Sequence, residues 1–247
     1  MHHPRLQGLY GITDARDTRP EQLIHKVSQA LRGGTRIIQY RDKGTDHARR
    51  YDTAQQLRLL TRQHNAMLII NDDIELARQV TADGVHLGQD DTHYDIARRI
   101  LGNEAIIGVS CYNRFDLAQQ AEQRGADYVA FGRFFPSRTK PDAVQADINL
   151  LQRANRELSI PIAAIGGITA ENGLPLIKAG ARMLAVVNAL FDTNDSEAAA
   201  RDLQSLFNVF SDNVFNDNVF NDNAFNDNVV NNDIVNDNTS KTVLQKM

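Results

Sequence analysis

Short apolar runs alternate with longer amphipathic stretches through the first 207 residues of the chain. Each run is three to five residues long and mostly apolar, which predicts a short buried strand. The predicted strands are 9–12, 36–40, 67–70, 85–87, 106–109, 128–131, 162–165 and 183–187. The stretches between them predict helices at 20–32, 46–64, from 74 onward, 94–101, 114–124, 148–158, 171–179 and 196–207.

The alternation amounts to eight strand–helix units of roughly 25 residues each. A strand followed by a helix, many times over, is typical of a parallel sheet with helices outside. Eight units in about 200 residues lie at the lower size limit of a (β/α)8 barrel. The alternative is an open doubly wound sheet. Because the units are nearly equal, we expect an α/β fold with a single closed TIM barrel.

The composition changes after Phe207, and we place a domain boundary there, with a barrel at 1–207 and a tail at 208–247. Six five-residue units rich in Asn and Asp fill 208–237, and five is neither the helical nor the strand period. The favoured interpretation is a disordered low-complexity tail. Two alternatives stay open: a small solenoid that stacks Val and Phe inward, and calcium binding by the Asn-Asp clusters.

Composition indicates a globular protein of a reducing compartment. Hydrophobic residues make up 42% and charged residues 23% of the 247 residues, and there is one cysteine, Cys111. No apolar run approaches the ~18 residues of a membrane span, and the N-terminus lacks the apolar core of a signal peptide. We therefore expect a cytoplasmic protein with no membrane partner.

The charge distribution argues against a nucleic-acid partner. The formal net charge is −4, and the six Asp and two Lys of 208–247 account for all of it. Residues 1–207 carry 25 acidic and 25 basic side chains and are neutral. No basic field is left to attract a polyanion, so small-molecule substrates are expected.

Polar side chains follow the predicted strands at the end where a barrel carries its active site. Arg41 and Lys43 follow strand two, and Asn71, Asp72 and Asp73 follow strand three. Asp90 and Asp91 follow strand four, beside strand three in a barrel, so carboxylates can converge. Two carboxylates, completed by water and substrate oxygens, suit Mg²⁺. Together with the cations, they predict a metal–diphosphate site.

Strand six runs into a loop of hydroxyls and cations, Ser137, Arg138, Thr139 and Lys140. A rigid strand followed by such donors suits an anionic ligand. Gly166-Gly167 follows strand seven, where backbone N–H groups can approach a phosphate closely. The ends of strands seven and eight are the usual phosphate site of this fold. We therefore expect a second anion site, for a monophosphate.

Several of these polar residues also have structural interpretations. Asp73 and Asp90 are candidate helix N-caps rather than ligands. Cys111 is interpreted as a packing residue, because no histidine occupies a comparable strand end. His86 lies inside strand four and is expected to be satisfied by a neighbour, and the other histidines suggest no zinc site.

The chain resembles the thiamine-phosphate synthase family in several long motifs that occur in family order across residues 6–207. They are GLYGITD (8–14), QYRDK (39–43), INDD (70–73), GVHLGQDD (84–91), GVS (108–110), GADYVAFGRFFPSRTK (125–140), IAAIGGI (162–168) and AVVNALF (185–191). The tail lies outside the resemblance.

The resemblance implies an Mg²⁺-dependent transferase. It would join 4-amino-2-methyl-5-hydroxymethylpyrimidine diphosphate to a carboxythiazole or hydroxyethylthiazole phosphate, giving thiamine phosphate and diphosphate by a dissociative substitution. Asp72 and Asp91 match the Mg²⁺ ligands, and Lys140, Arg41 and Ser110 would serve catalysis. The residues implied in substrate binding are Gln39, Tyr40, Arg41, Asp42, Lys43, Asn71, Ser110, Ser137, Arg138, Thr139, Lys140, Gly167, Val187 and Asn188.

The sequence departs from the family pattern at two positions. Ser137 stands where threonine is common, which keeps the hydroxyl, and Asn188 stands where serine is common. The second departure puts a side-chain contact to the phosphate in doubt, whereas the backbone N–H remains. The alternatives to the synthase are a thiazole tautomerase-like enzyme and a non-catalytic thiazole-phosphate-binding barrel. The oligomeric state and the preferred thiazole tautomer stay open.

Overall fold

The computed structural model describes residues 5–15, 19–88, 94–136 and 144–223. The strands are β1 (Gly8–Ile12), β2 (Ile37–Tyr40), β3 (Met67–Asn71), β4 (Gly84–Leu87), β5 (Ile106–Tyr112), β6 (Tyr128–Gly132), β7 (Ile162–Ile165) and β8 (Met183–Val186). The helices are α1 (Pro20–Arg32), α2 (His47–Gln63), α3 (Ile74–Gln79), α4 (Tyr94–Leu101), α5 (Phe115–Gln123), α6 (Ile148–Glu157), α7 (Leu174–Lys178), α8 (Asn188–Phe191) and α9 (Ser196–Asn223).

The strands form one closed parallel barrel in chain order, β1 to β8. The pairing that decides between a barrel and an open sheet is that of the first strand with the last. Gly8 pairs with Met183 and Gly11 pairs with Val186, both in parallel register. The predicted TIM barrel is therefore confirmed, and the open sheet is excluded.

Apolar side chains fill two layers because both faces of each strand are covered, which explains the continuous apolar runs in the sequence. The inner layer lies inside the barrel and includes Tyr10, Met67 and Tyr128. The outer layer lies between the strands and the helices and includes Tyr40 and Phe131. Side chains alternate between the layers along each strand, and this alternation selects which residues reach the barrel interior.

Helix starts follow from local side-chain chemistry. Asp46, Asp73 and Asp147 cap α2, α3 and α6, each by accepting a backbone N–H within the first turn. The expectation that Asp73 is a cap is confirmed. Pro20 occupies the first position of α1, where its missing N–H costs nothing.

The last helix extends beyond the position expected from sequence. We predict an end at Phe207, whereas α9 continues to Asn223 and so includes three of the five-residue units. The extension contains neither glycine nor proline, the two residues that most disfavour helix. By internal contacts the chain divides into one unit of residues 1–210 and a second of 211–247. Residues 224–247 lie outside the described residues.

None of the helices described here is both long enough and apolar enough to cross a membrane.

Candidate active site

A cavity of about 500 Å³ opens at the carboxyl ends of the barrel strands. Every strand, or the loop after it, contributes to its wall. The polar and charged lining residues are Thr13, Asp14, Gln39, Arg41, Asn71, His86, Ser110, Tyr112, Arg133, Thr169, Asn188 and Asp192. The structure brings together here the predicted site residues Gln39, Arg41, Asn71, Ser110, Gly167, Val187 and Asn188.

The segment after β2 divides into residues that line the cavity and residues that do not. Gln39 and Arg41 line it, whereas Tyr40 and Asp42 turn away because neighbouring side chains alternate. Tyr40 donates to Asp42 Oδ2 at 3.1 Å, and Arg49 donates to the same oxygen at 3.0 Å. The structure gives Tyr40 and Asp42 a role in holding this loop, and direct ligand contact by them stays a prediction.

Arg41 has a buried guanidinium nitrogen, Nη1, without a hydrogen-bond partner among the described residues. The nearest carboxylate oxygen, Asp14 Oδ1, lies 3.7 Å from it, which is beyond hydrogen-bond distance. A buried donor without an acceptor is costly, and Arg41 is among the residues that line the cavity.

Lys43 and Asp72 form an ion pair at the ends of β2 and β3. Asn71 donates its side-chain amide to the same Asp72 oxygen at 2.7 Å. Asp72 adopts a left-handed backbone conformation with φ of 62°, so the chain leaves the strand line at this residue. The neighbouring Asp73 instead caps α3 and pairs with Arg50 at 2.7 Å.

The group of Lys43, Asn71 and Asp72 at the ends of β2 and β3 suits a hard cation that is held partly by substrate. Asp72 offers a carboxylate, and its bonded partners Lys43 and Asn71 are groups that also suit phosphate oxygens. Mg²⁺ in phosphate sites is held by one or two carboxylates and by phosphate oxygens rather than by a full protein cage. Within the described part of the chain, no three His, Cys, Asp or Glu side chains cluster as a metal site. Asp91, the second predicted ligand, lies outside that part.

Ser137, Arg138, Thr139 and Lys140 likewise lie outside the described residues, so their predicted substrate contacts stay predictions.

His86 and Ser110 meet at the wall of the cavity. His86 Nε2 lies 2.9 Å from Ser110 Oγ, and His86 Nδ1 lies 2.9 Å from the hydroxyl of Tyr128. The expectation that neighbours satisfy this histidine is confirmed. Cys111 is buried against the outer layer, and burial raises the pKa of its thiol to about 12. The packing interpretation of Cys111 is therefore supported, since a nucleophilic cysteine needs a low pKa.

The glycine pair after β7 lies against the loop that follows β6. A Cβ atom on Gly166 would come within 2.3 Å of the Cβ of Arg133. A Cβ on Gly167, where φ is 64°, would come within 2.3 Å of the carbonyl oxygen of Pro136. Both glycines line the cavity, so this approach of two loops also leaves their backbone open to a ligand.

Asn188 begins the short helix α8 at the end of β8. Its side-chain amide donates to Asp192 Oδ2 at 2.5 Å. The side-chain amide is therefore engaged within its own turn, and the contact of Asn188 with a phosphate stays a prediction.

Among the cavity residues without a predicted ligand role, four are acidic, basic or histidine side chains: Asp14, His86, Arg133 and Asp192. Arg133 directly follows β6, and Asp14 follows β1 by two positions. The reasoning that selected Arg41, namely that residues just after a barrel strand lie near the active site, therefore selects them as well. His86 lies within β4 and points inward, which only the register of that strand shows. Asp192 follows a helix that the apolar pattern did not predict.

Comparison with known proteins places the chain in a family. A model of the family described as thiamine monophosphate synthase matches residues 9–190. The thiamine-phosphate synthase of Thioalkalivibrio sulfidiphilus is 51% identical over 205 residues, 83% of this chain and 97% of that protein. The chain belongs to the thiamine monophosphate synthase family. The thiamine-phosphate synthase of Nitrosococcus oceani is 52% identical, with 79% of this chain and 90% of that protein covered.

A solved structure of the same family agrees with the barrel. Thiamine phosphate pyrophosphorylase from Pyrococcus furiosus superposes with a TM-score of 0.75 at 34% identity, and the match covers 82% of this chain and 96% of that one. Membership in the thiamine monophosphate synthase family makes the chain a transferase of thiamine biosynthesis. It also favours the synthase over the tautomerase-like and non-catalytic alternatives.

Proposed function

We propose that the chain joins 4-amino-2-methyl-5-hydroxymethylpyrimidine diphosphate to a thiazole phosphate within the cavity at the carboxyl ends of the strands. The observation that carries the proposal is that Arg41 lines this cavity and that its buried Nη1 has no hydrogen-bond partner among the described residues. A cavity of about 500 Å³ lies within the usual range for small-molecule sites. Its substrates are small molecules, and the proposal involves neither nucleic acid nor membrane.

The diphosphate belongs, in this proposal, at the β2–β3 side of the cavity. Arg41 and Lys43 supply positive charge there, and Asn71 supplies an amide donor. Lys140 would add a third cation from the loop after β6. Cations that are already positioned stabilise a leaving anion without reorganisation during the reaction.

Asp72 and Asp91 would hold Mg²⁺ at this side. The chemistry that the ion supplies when bound is neutralisation of charge on the diphosphate oxygens. Lys43 pairs with Asp72 in this structure. When diphosphate arrives, this lysine would exchange part of its contact with the carboxylate for contact with phosphate oxygens.

The reaction breaks a carbon–oxygen bond at a methylene attached to an electron-rich aminopyrimidine. The electron pair leaves with the diphosphate, and the ring stabilises the cation that remains. The thiazole nitrogen then donates its lone pair to form the new carbon–nitrogen bond. Gln39 and Ser110 would orient the pyrimidine, and the glycines after β7 would hold the thiazole phosphate together with the backbone of Val187 and Asn188. Catalysis is thus mainly a matter of positioning and charge.

The test is product formation from purified full-length chain with Mg²⁺, followed by oxidation of the product to fluorescent thiochrome. Both substrates together should give thiamine phosphate, and omission of either should give none. Isomerisation of the thiazole phosphate without coupling would support the tautomerase-like alternative instead. Binding of the thiazole phosphate without any turnover would support the non-catalytic barrel.

A further inference from the structure

A continuous chain of hydrogen bonds crosses the interior of the barrel and ends at the cavity on both sides. Gln39 Nε2 donates to the hydroxyl of Tyr10 at 2.8 Å, and this hydroxyl lies 2.7 Å from that of Tyr128. Tyr128 lies 2.9 Å from His86 Nδ1, and His86 Nε2 lies 2.9 Å from Ser110 Oγ. Five residues from five strands are therefore joined by four bonds.

The two phenols at the centre of this chain are sealed from water. Tyr10 and Tyr128 are 1% and 0% exposed. Gly108 on β5 leaves room for one of them, since a Cβ there would lie 2.0 Å from the ring of Tyr128. Burial raises the pKa of both phenols well above the ordinary value, so each keeps its proton and must place it in a hydrogen bond.

The direction of these hydrogen bonds follows from which groups can donate and which can accept. The hydroxyl of Tyr10 accepts from Gln39, and Tyr10 makes no further hydrogen bond to any described residue except the one to Tyr128. If Tyr128 donated to Tyr10, the buried Tyr10 hydrogen would have no acceptor within the described chain. Tyr10 therefore donates to Tyr128, which in turn donates to His86 Nδ1. A neutral His86 then carries its hydrogen on Nε2 and donates it to Ser110.

We propose that Tyr10 and Tyr128 are positioning residues of a directional relay that couples Gln39 to Ser110. The relay fixes the Nε2–H tautomer of His86. It holds the amide nitrogen of Gln39 in a hydrogen bond to Tyr10 and leaves the side-chain carbonyl oxygen as an acceptor for the cavity. It also makes the Ser110 hydroxyl oxygen the acceptor of the His86 Nε2 hydrogen.

The consequence for ligand recognition rests on the proposed function. A pyrimidine diphosphate has an exocyclic amine that donates, and ring nitrogens and phosphate oxygens that accept. The relay presents the carbonyl oxygen of Gln39 as an acceptor at β2, which matches the exocyclic amine of the pyrimidine. Because the bonds form a chain, a reversal of either end would reverse what the other end presents.

The test reads the tautomer of His86 by ¹⁵N–¹H correlation of ¹⁵N-histidine-labelled full-length protein, without ligand, at a pH where this ring is neutral. A His86→Gln spectrum assigns the signals among the seven histidines. The wild-type chain should show the Nε2–H form. Gln39→Glu, which keeps the side-chain shape, replaces the donor at β2 by an acceptor. Tyr10 would then donate to position 39, and His86 should change to the Nδ1–H form.

The double variant Tyr10→Phe with Gln39→Glu is the matched control, because it cuts the relay between the two ends. It should keep the Nε2–H form, since Tyr128 still donates to Nδ1. A wild-type Nδ1–H form, or the same tautomer in wild type and Gln39→Glu, would overturn the relay. If Gln39→Glu does not fold, Tyr128→Phe serves instead. It removes the donor to Nδ1 and should abolish the tautomer preference, and an unchanged preference would overturn the relay.

Kinetics separates this inference from the proposed function. Tyr10→Phe should lower kcat/KM for the pyrimidine diphosphate about tenfold, as expected for one lost positioning hydrogen bond. It should leave KM for the thiazole phosphate unchanged. If His86 shows the predicted tautomers in the wild-type and Gln39→Glu proteins but the wild-type chain forms no thiamine phosphate, the relay is supported and the proposed function is overturned. If the wild-type chain forms thiamine phosphate but Gln39→Glu leaves the His86 tautomer unchanged, the proposed function is supported and the relay is overturned.

Discussion

Two neighbouring aspartates after β3 offer a matched test of the metal site. Asp72 pairs with Lys43 and accepts from Asn71, whereas Asp73 caps α3 and pairs with Arg50. We predict that Asp72→Asn lowers kcat/KM by about 100-fold or more, because a carboxylate that would face Mg²⁺ and diphosphate loses its charge. Asp73→Asn should stay within about threefold of wild type in the same assay.

The structure also predicts the opposite order for stability. The side chains of Asp72 and Lys43 are 30% and 49% exposed, and an ion pair of this kind contributes about 0–1 kcal/mol. Asparagine also tolerates the left-handed conformation at position 72, where alanine would add strain. At position 73 asparagine retains the cap, but loss of the pair with the less exposed Arg50 should cost about 1 kcal/mol.

The assay is thiamine phosphate formation over a range of Mg²⁺ concentrations, with urea unfolding of both variants as the measure of stability. Activity of Asp72→Asn within about threefold of wild type at every Mg²⁺ concentration would refute the assignment. Equal loss of activity in both variants would refute it as well, since the cap lies outside the proposed chemistry.

Three further predictions concern packing and the tail. Gly167→Ala should destabilise the fold by about 1–3 kcal/mol and lower activity, because its Cβ would meet the Pro136 carbonyl oxygen at a positive φ; thermal unfolding and the activity assay check both. Cys111 should resist alkylation at pH 8 in the folded chain and react after unfolding. Since burial raises the pKa of its thiol, the contribution of Cys111 to the free energy of unfolding should be complete below about pH 9 and should fall as pH rises toward 12. Removal of 211–247 should leave kcat/KM unchanged within about twofold, because the cavity lies wholly within unit 1–210; a larger fall would assign the tail a role in the barrel.

The barrel was predictable because its signals are local and repeated. Each strand is buried on both faces, so its apolar run survives in the sequence, and eight such runs with near-equal spacing leave few topologies. Reasoning from strand ends selected Arg41 and Asn71 for the same reason, since the carboxyl ends of parallel strands share one face.

What the sequence could not show depends on contacts between distant residues. Lys43 and Asp72 form an ion pair between the ends of two strands, and no local pattern in the sequence indicates that pair. Tyr10 and Tyr128 read as apolar strand positions, yet their hydroxyls meet across 118 residues of chain.

The end of the last helix was misplaced for a different reason. A five-residue repeat matches neither regular period, and the helix after Phe207 continues through Asn-rich units of poor intrinsic propensity. The apolar pattern carries no signal that would distinguish such a continuation from irregular chain.

The measurement that bears most directly on the proposed reaction is the rate of thiamine phosphate formation by the wild-type chain at controlled free Mg²⁺. We predict saturable activity with both substrates, complete loss in EDTA and full recovery when Mg²⁺ is restored. Equal rates with and without EDTA would contradict a metal-assisted departure of diphosphate. No product at any Mg²⁺ concentration from folded protein would contradict the synthase reaction itself.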